Sequence, residues 1–251
     1  MLRHSYYLPF TLFLLLEKKG YIPMALFVIG DLHLSIEGNK SMEKFRGWSG
    51  YVEKLTENWN SMVKPEDTVI LAGDSSWGMS LSESLPDFRF IHALPGTKYL
   101  LKGNHDYWWT TKSKMDRFFA ENELTSLHIL HNNAVRVGDI TVCGTRGWML
   151  EDGKPADKKV TVREAMRLEA SIKEADLLGG EKIAVLHYPP IFALDESTEI
   201  LEIIKKHGIR RCYYGHLHSS ACAFAFNSEK YGTHFQLISG DFVKFKPLLV
   251  E

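Results

Sequence analysis

Short, unbroken apolar runs alternate with longer amphipathic stretches through the first half of this chain. Residues 25–30 are apolar up to a glycine, which predicts a strand covered on both faces. Over 48–62, Trp48, Tyr51, Val52, Leu55, Trp59 and Met62 recur at spacings of three and four, the stripe of one helical face. A second buried strand is predicted over 68–72, and a helix over 81–94 with Pro86 in its first turns. A third strand over 98–101 follows. This strand–helix succession predicts an α/β layered domain.

The second half changes character. A short helix over 111–120 and a strand over 127–130 precede an alternating stretch, 134–143, that turns at Gly138-Asp139 as a hairpin does. A polar loop over 151–159 leads to a helix over 160–178, stopped by Gly179-Gly180. Strands are predicted over 182–186 and 211–214, with a helix over 198–207 between them. The tail, 233–250, reads as two strands around Ser239-Gly240-Asp241.

The length of 251 residues suits one domain with a sizeable core. Lys plus Arg total 30 against 31 for Asp plus Glu, a formal net charge of -1, which argues against a long nucleic acid as partner. Cys143, Cys212 and Cys222 form neither a disulfide framework nor a paired metal-ligand spacing, so a reducing, cytoplasmic setting is expected. Residues 6–16 are almost wholly apolar, but a membrane span needs about 20 such residues. No small-residue cleavage signature follows them. Residues 1–23 are therefore expected to be an extension, either a non-native start or a peripheral segment, ahead of a domain over 24–251.

Five polar signatures close predicted strands: Asp31-Leu32-His33, Gly73-Asp74, Gly103-Asn104-His105-Asp106, His187, and Gly215-His216-Leu217-His218. Loops at the carboxyl ends of parallel strands are where such sheets carry their ligands. Asp31 and His33, two apart on an extended segment, can turn to one ion. Asp74 has two oxygens with which to bridge a pair of ions. Asn104 offers a neutral oxygen, which limits negative charge. Its neighbour His105 is left free for acid–base work, with Asp106 expected to fix its tautomer. His92, His128, His131, His207 and His234 have no such frame and read as structural.

With these motifs in this order, the chain resembles the calcineurin-like metallophosphoesterase superfamily, and its tail resembles that of the small bacterial predicted phosphohydrolases. The resemblance spans nearly everything from Met24 onward. It implies a four-layer αββα sandwich, two mixed sheets face to face with helices outside. It also implies one metal held by Asp31, His33 and His218, a second by Asn104, His187 and His216, and Asp74 between them. Manganese or iron is favoured by the resemblance, while the mixed nitrogen and oxygen donors also suit zinc.

Two divalent cations so held would lower the pKa of bound water and set a bridging hydroxide against phosphorus. His105, as imidazolium, is expected to serve the leaving oxygen. Candidate substrate contacts are Asn104, Trp77, Tyr107 and the fork of Arg146, with Trp108 and Trp109 also close to the ligands in sequence. The expected activity is hydrolysis of a small phosphate ester, leaning to a diester because of these aromatics. A phosphomonoesterase or a nuclease with the same centre is the alternative. A scaffold with a decayed site would lack some ligands, and a barrel amidohydrolase would open with His-x-His.

Overall fold

The computed structural model describes residues 24–149 and 155–251. The expected extension, 1–23, and residues 151–154 of the expected polar loop lie outside them. In chain order the main elements are β1 (Leu26–Ile29), α1 (Tyr51–Met62), β2 (Thr68–Leu71), α2 (Leu85–Ala93), β3 (Thr97–Leu100), α3 (Lys112–Glu121), β4 (Leu127–Ile129), β5 (Val135–Val137) and β6 (Ile140–Thr145). There follow α4 (Pro155–Leu178), β7 (Glu181–Leu186), β8 (Ile191–Phe192), β9 (Asp195–Glu196), α5 (Thr198–Lys206), β10 (Arg211–Tyr214), β11 (Glu229–Lys230), β12 (Thr233–Leu237) and β13 (Leu248–Leu249).

Two mixed sheets form, ordered β13-β1-β2-β3-β4 and β11-β12-β10-β7-β6-β5. The inner strands of each are parallel, and antiparallel β13, β11 and β5 lie at edges. Alternation along β1 explains the layering. Leu26 and Val28 face the second sheet, packed with Ile70, Val142, Ile183 and Val185. Phe27 and Ile29 face the other way, onto Leu55 and Trp59 of α1 and Phe88 and Ile91 of α2. On the far side, Cys143, Ala184 and Cys212 pack against Leu168 and Ile172 of α4 and Ile200 and Ile204 of α5. The result is the four-layer αββα sandwich, buried at three successive interfaces.

The differences from expectation are local. α2 begins at Leu85 rather than 81, because Pro86 fits only the first turn of a helix, where its missing N–H is not needed. α4 begins at Pro155, five residues before the expected start and inside the expected polar loop, with proline again at the first helical position. The two strands expected in the tail form, but in different sheets. β12 joins the second sheet and β13 crosses to the first, where it pairs with β1. The short β8–β9 ribbon, β11 and a 3-10 turn over Ser219–Phe224 carried no expectation.

Candidate metal centre

All six inner strands that carry site residues end on the same side, so their following loops meet there. β1, β2 and β3 deliver Asp31 with His33, Asp74, and Asn104 with His105; β7, β10 and β12 deliver His187, His216 with His218, and Asp241. The first two loops stay zipped after their strands end. Asp31 N–H donates to Gly73 O at 2.9 Å and His33 N–H to Asp74 O at 2.8 Å. A bridge between Gly30 and Ser239 ties the first sheet to the second.

The backbone at the centre is strained. Asp31, His33, Asp74 and His216 all have positive φ, a region that costs residues with a Cβ of order 1–3 kcal/mol. Gly73, with φ +94, approaches Gly103 and the His187 ring so closely that a Cβ would lie 2.7 and 2.8 Å from them. Such strain persists only where the surroundings over-determine it.

The side chains form two groups. Asp31, His33 and His218 present ligand atoms within 4.8 Å of one another, and so do Asp31, Asp74 and His187. Asp74 Oδ2 lies 3.6 Å from His33 Nε2 and 3.6 Å from His187 Nε2, midway between the two groups. Asn104 Oδ1 lies 2.7 Å from His187 Nε2 and 2.8 Å from His216 Nδ1. The seven expected ligands are thus brought to one place.

Hydrogen bonds fix how the imidazoles face. His187 Nδ1 is 3.0 Å from the Ala72 carbonyl, which can only accept, so Nδ1 carries the proton and Nε2 presents a lone pair to Asn104 Oδ1. Two acceptors meeting at that distance suit a shared cation. His218 Nδ1 meets Asp241 Oδ1 at 3.0 Å, which turns Nε2 towards Asp31, 3.3 Å away. Imidazole ligands are commonly backed in this way by a carbonyl or carboxylate.

Electrostatics point to missing positive charge. Burial, then Asp106 and Asp31, pushes the Asp74 carboxyl well above the usual carboxylate range. Burial also works to raise Asp31, but His218, His187 and His33 hold it low. Burial opposes a charge on His218, yet Asp31 and Asp241 push it up to about 10. His187 is driven down to about 3 and His216 to about 4, both mainly by burial. The neutral imidazoles of His187 and His216 beside buried carboxylates, with His33 Nδ1 buried and unpartnered among the described residues, form a donor set that fits divalent cations.

Around this centre the expectations divide. His105 is half-buried, its Nδ1 3.2 Å from the Tyr107 hydroxyl, and burial with His218 nearby lowers its pKa from the ordinary imidazole value. Trp77 stacks on His33 at 4.8 Å and lies 4.5 Å from His105, so Trp77 and Tyr107 both border the acid–base candidate. Asp106 does not. It accepts the N–H groups of Asp74, Ser75 and Gly103 and the Trp108 indole N–H, and makes no contact with His105. The expectation that it fixes the His105 tautomer is corrected accordingly: geometry gives that place to Tyr107. Trp108 is buried against Phe88, and Trp109 faces His131. Arg146 stacks on Trp148, and its guanidinium lies 3.6 Å from the fully buried Glu164.

Two groups escape the sequence pattern. Asp241 reads there only as part of a turn, although the Gly-Asp after a strand repeats the Gly73-Asp74 signal. Trp48, which reads as helix face, precedes α1 and packs edge-on to both His33 and His218, while Tyr51 donates its hydroxyl to His33 O.

Comparison with known proteins bears on this centre. The model of the calcineurin-like phosphoesterase family matches residues 24–220. The Gene 66 protein of Mycobacterium phage L5 is 36% identical over 80 residues, which are 30% of this chain and 37% of the phage protein. The phosphopantetheinyl hydrolase of Mycobacterium tuberculosis has a similar structure, with a TM-score of 0.53 at 16% identity, covering 91% of this chain and 96% of that one. TT1561 of Thermus thermophilus gives a TM-score of 0.54 at 16% identity, over 91% and 98% of the two chains. At such identities the structures share the fold alone. No helix among the described residues is long and apolar enough to cross a membrane.

Proposed function

We propose that this chain, which belongs to the calcineurin-like phosphoesterases, is a metal-dependent phosphohydrolase with a dinuclear site and that it hydrolyses a small phosphodiester. The observation that carries the diester is Trp77. Its ring lies against His33 and His105, and it also lines a cavity of about 320 Å³ with Lys40, Met79, Glu83 and Pro86. A diesterase must shelter a second esterified group, and through Trp77, the one aromatic of its lining, this cavity adjoins the acid–base candidate.

Asp31, His33 and His218 would hold one cation and Asn104, His187 and His216 the other, with Asp74 between. Bound there, two divalent cations supply Lewis-acid polarisation of the phosphoryl group and water of lowered pKa. The chain's own residues do the rest. Ala72 O and Asp241 keep the Nδ1 protons of His187 and His218 away from the centre. The Tyr107 hydroxyl pairs with His105 Nδ1 at 3.2 Å, and the proton for the departing oxygen is carried on Nε2. Trp77 and Trp48 exclude water behind His33. Manganese is the assay metal of choice, since no thiolate enters the donor set and the family favours manganese or iron. Two buried thiols, Cys143 and Cys212, suit a reducing, cytoplasmic setting, and the formal charge of -1 weighs against a long nucleic acid as substrate.

The test is a panel of bis-p-nitrophenyl phosphate, p-nitrophenyl phosphate and cyclic nucleotides with added Mn²⁺. Turnover of the diesters is expected to exceed that of the monoester. Activity on the monoester alone overturns the reading.

A further inference from the structure

Beside the metal centre, on the side of Asn104 and His187, cationic side chains gather from three separate segments. Lys102 follows β3, Arg146 follows β6, and Arg163 and Arg167 lie on α4. Glu164 organises them. It is fully buried, accepts the Thr145 hydroxyl at 2.6 Å and Arg167 Nη1 at 2.7 Å, and lies 3.6 Å from Arg146 and 3.9 Å from Arg163. Among the described side chains, one carboxylate therefore faces three guanidiniums.

Lys102 increases the imbalance. It is half-buried within electrostatic reach of Arg146 and Arg167 and of the carboxylates of Asp106 and Glu164, and makes no hydrogen bond or ion pair among the described residues. Arg146 Nε is a buried donor with no acceptor among the described residues. A network built only to fasten α4 to β6 would need Glu164 and one arginine. Here, among the described residues, the donors outnumber the acceptors.

The cluster adjoins the reacting end of the site. The Arg146 carbonyl accepts the N–H groups of His187 at 3.1 Å and Tyr188 at 2.8 Å, and the Tyr188 ring packs 4.2 Å from that of His216. Arg146 is thereby anchored to two residues flanking the centre, while Lys102 stands two positions before Asn104. A phosphoryl group over the metals would have these cations as its next neighbours.

We propose that Lys102, together with Arg146 and Arg167 as Glu164 holds them, forms a second anion subsite, and that the substrate carries a second phosphoryl group beside the scissile one. This rests on the phosphodiester reading and narrows it, since a phosphorus within a P–O–P linkage can itself be a diester. Glu164 is a positioning residue: it sets the guanidiniums and does not meet the substrate.

Calorimetric titration of the Mn²⁺-loaded full chain with inorganic diphosphate and with orthophosphate tests the subsite. A charge-assisted contact contributes about 1.5–3 kcal/mol, so diphosphate should bind at least about ten-fold more tightly than orthophosphate. Arg167→Ala and Lys102→Ala should each bring that ratio towards one. Sequestration of Mn²⁺ by diphosphate is the same for every variant and drops out of the comparison. A purely structural role for the cluster would lower the melting temperature of Arg167→Ala and leave the ratio intact, which overturns the proposal. So does equal binding of the two anions by the unaltered chain. If Arg167→Ala does not fold, Lys102→Ala, whose side chain is outside the Glu164 network, decides alone. Absence of turnover on every ester of the panel would sink the phosphodiester reading instead, and the binding ratio is read independently of it.

Discussion

Asp106 grips the backbone of Asp74: its Oδ2 accepts the Asp74 N–H at 2.8 Å, deep in the molecule. The same carboxylate accepts Gly103 N–H at 2.7 Å and Ser75 N–H at 2.9 Å, so one side chain fastens the loop after β2 to the loop after β3. The two loops carry Asp74 and Asn104, and their separation is set by this clamp.

Asp106→Ala should therefore act on stability and metal content. Each buried N–H left without an acceptor costs about 1–3 kcal/mol, and four, counting the Trp108 indole, are exposed to that loss. Urea unfolding should show a destabilisation of about 3 kcal/mol or more, with fewer metals bound by mass spectrometry. The dependence of rate on leaving group should stay as in the unaltered protein. A change in that dependence would return Asp106 to a role beside His105.

His105→Ala should show the opposite pattern. His105 adjoins a proposed ligand and is assigned no metal, so the variant should keep its fold and both ions. Loss of a positioned acid lowers the rate about 10²–10⁴-fold, most for an alkoxide leaving group that needs the proton. A p-nitrophenyl ester, whose leaving group scarcely needs one, should suffer less. Equal losses on the two ester types, or a missing metal, would remove His105 from this role. Tyr107→Phe should reproduce a smaller version of the same contrast.

Gly103→Ala tests the close approach of the two loops. A Cβ at that position would overlap Asp74 Oδ1 and Asp74 N, so the clamp and the Asp74 side chain cannot both stay in place. Metal analysis should show loss of at least one ion. If Gly103→Ala keeps both ions and its melting temperature, the loops are looser than their hydrogen bonds imply.

The positions of the proposed ligands were legible because a parallel strand announces itself by an unbroken apolar run, and the runs that lead to them end on residues with metal-binding chemistry. Sequence spacing could not reveal what the side chains behind the ligands do. Asp106 sits next to His105 in sequence, yet adjacent residues in a tight loop point apart, and its carboxylate turns inward. Trp48 carries the helical stripe of α1 without being helical, because Gly50, with φ +59, interrupts the chain between them. Asp241 reaches His218 through a tail that leaves one sheet for the other, a long-range crossing that local pattern cannot encode. The Arg146 fork looked free beside two glycines, whereas its partner Glu164 lies on α4, brought close only by the fold.

Asp74→Asn should have opposite effects on the metal-free and metal-loaded protein. Without metal, the Asp74 carboxylate is buried beside Asp106 and Asp31, which, after burial itself, push its pKa well above the usual range. A carboxyl with a raised folded pKa binds more protons folded than unfolded between its unfolded value and the raised one. Its contribution to stability therefore falls as pH rises through that window and stays low above it. Asparagine carries no such penalty, and its remaining oxygen can still accept the His105 N–H that Asp74 Oδ1 receives at 2.7 Å. With EDTA at neutral pH, Asp74→Asn should melt at or above the unaltered chain, and its stability should vary less between pH 5 and 8. With Mn²⁺ the order should invert. The unaltered chain gains about 2.7 kcal/mol per site at a metal concentration of 100 times Kd, whereas the variant has lost the charge that lies between the two cations. Melting curves of both proteins, with and without metal, read the four states directly. If the variant is the less stable one without metal, the carboxylate is not under the electrostatic load described. If it takes up two ions and keeps full turnover, Asp74 is not the bridge.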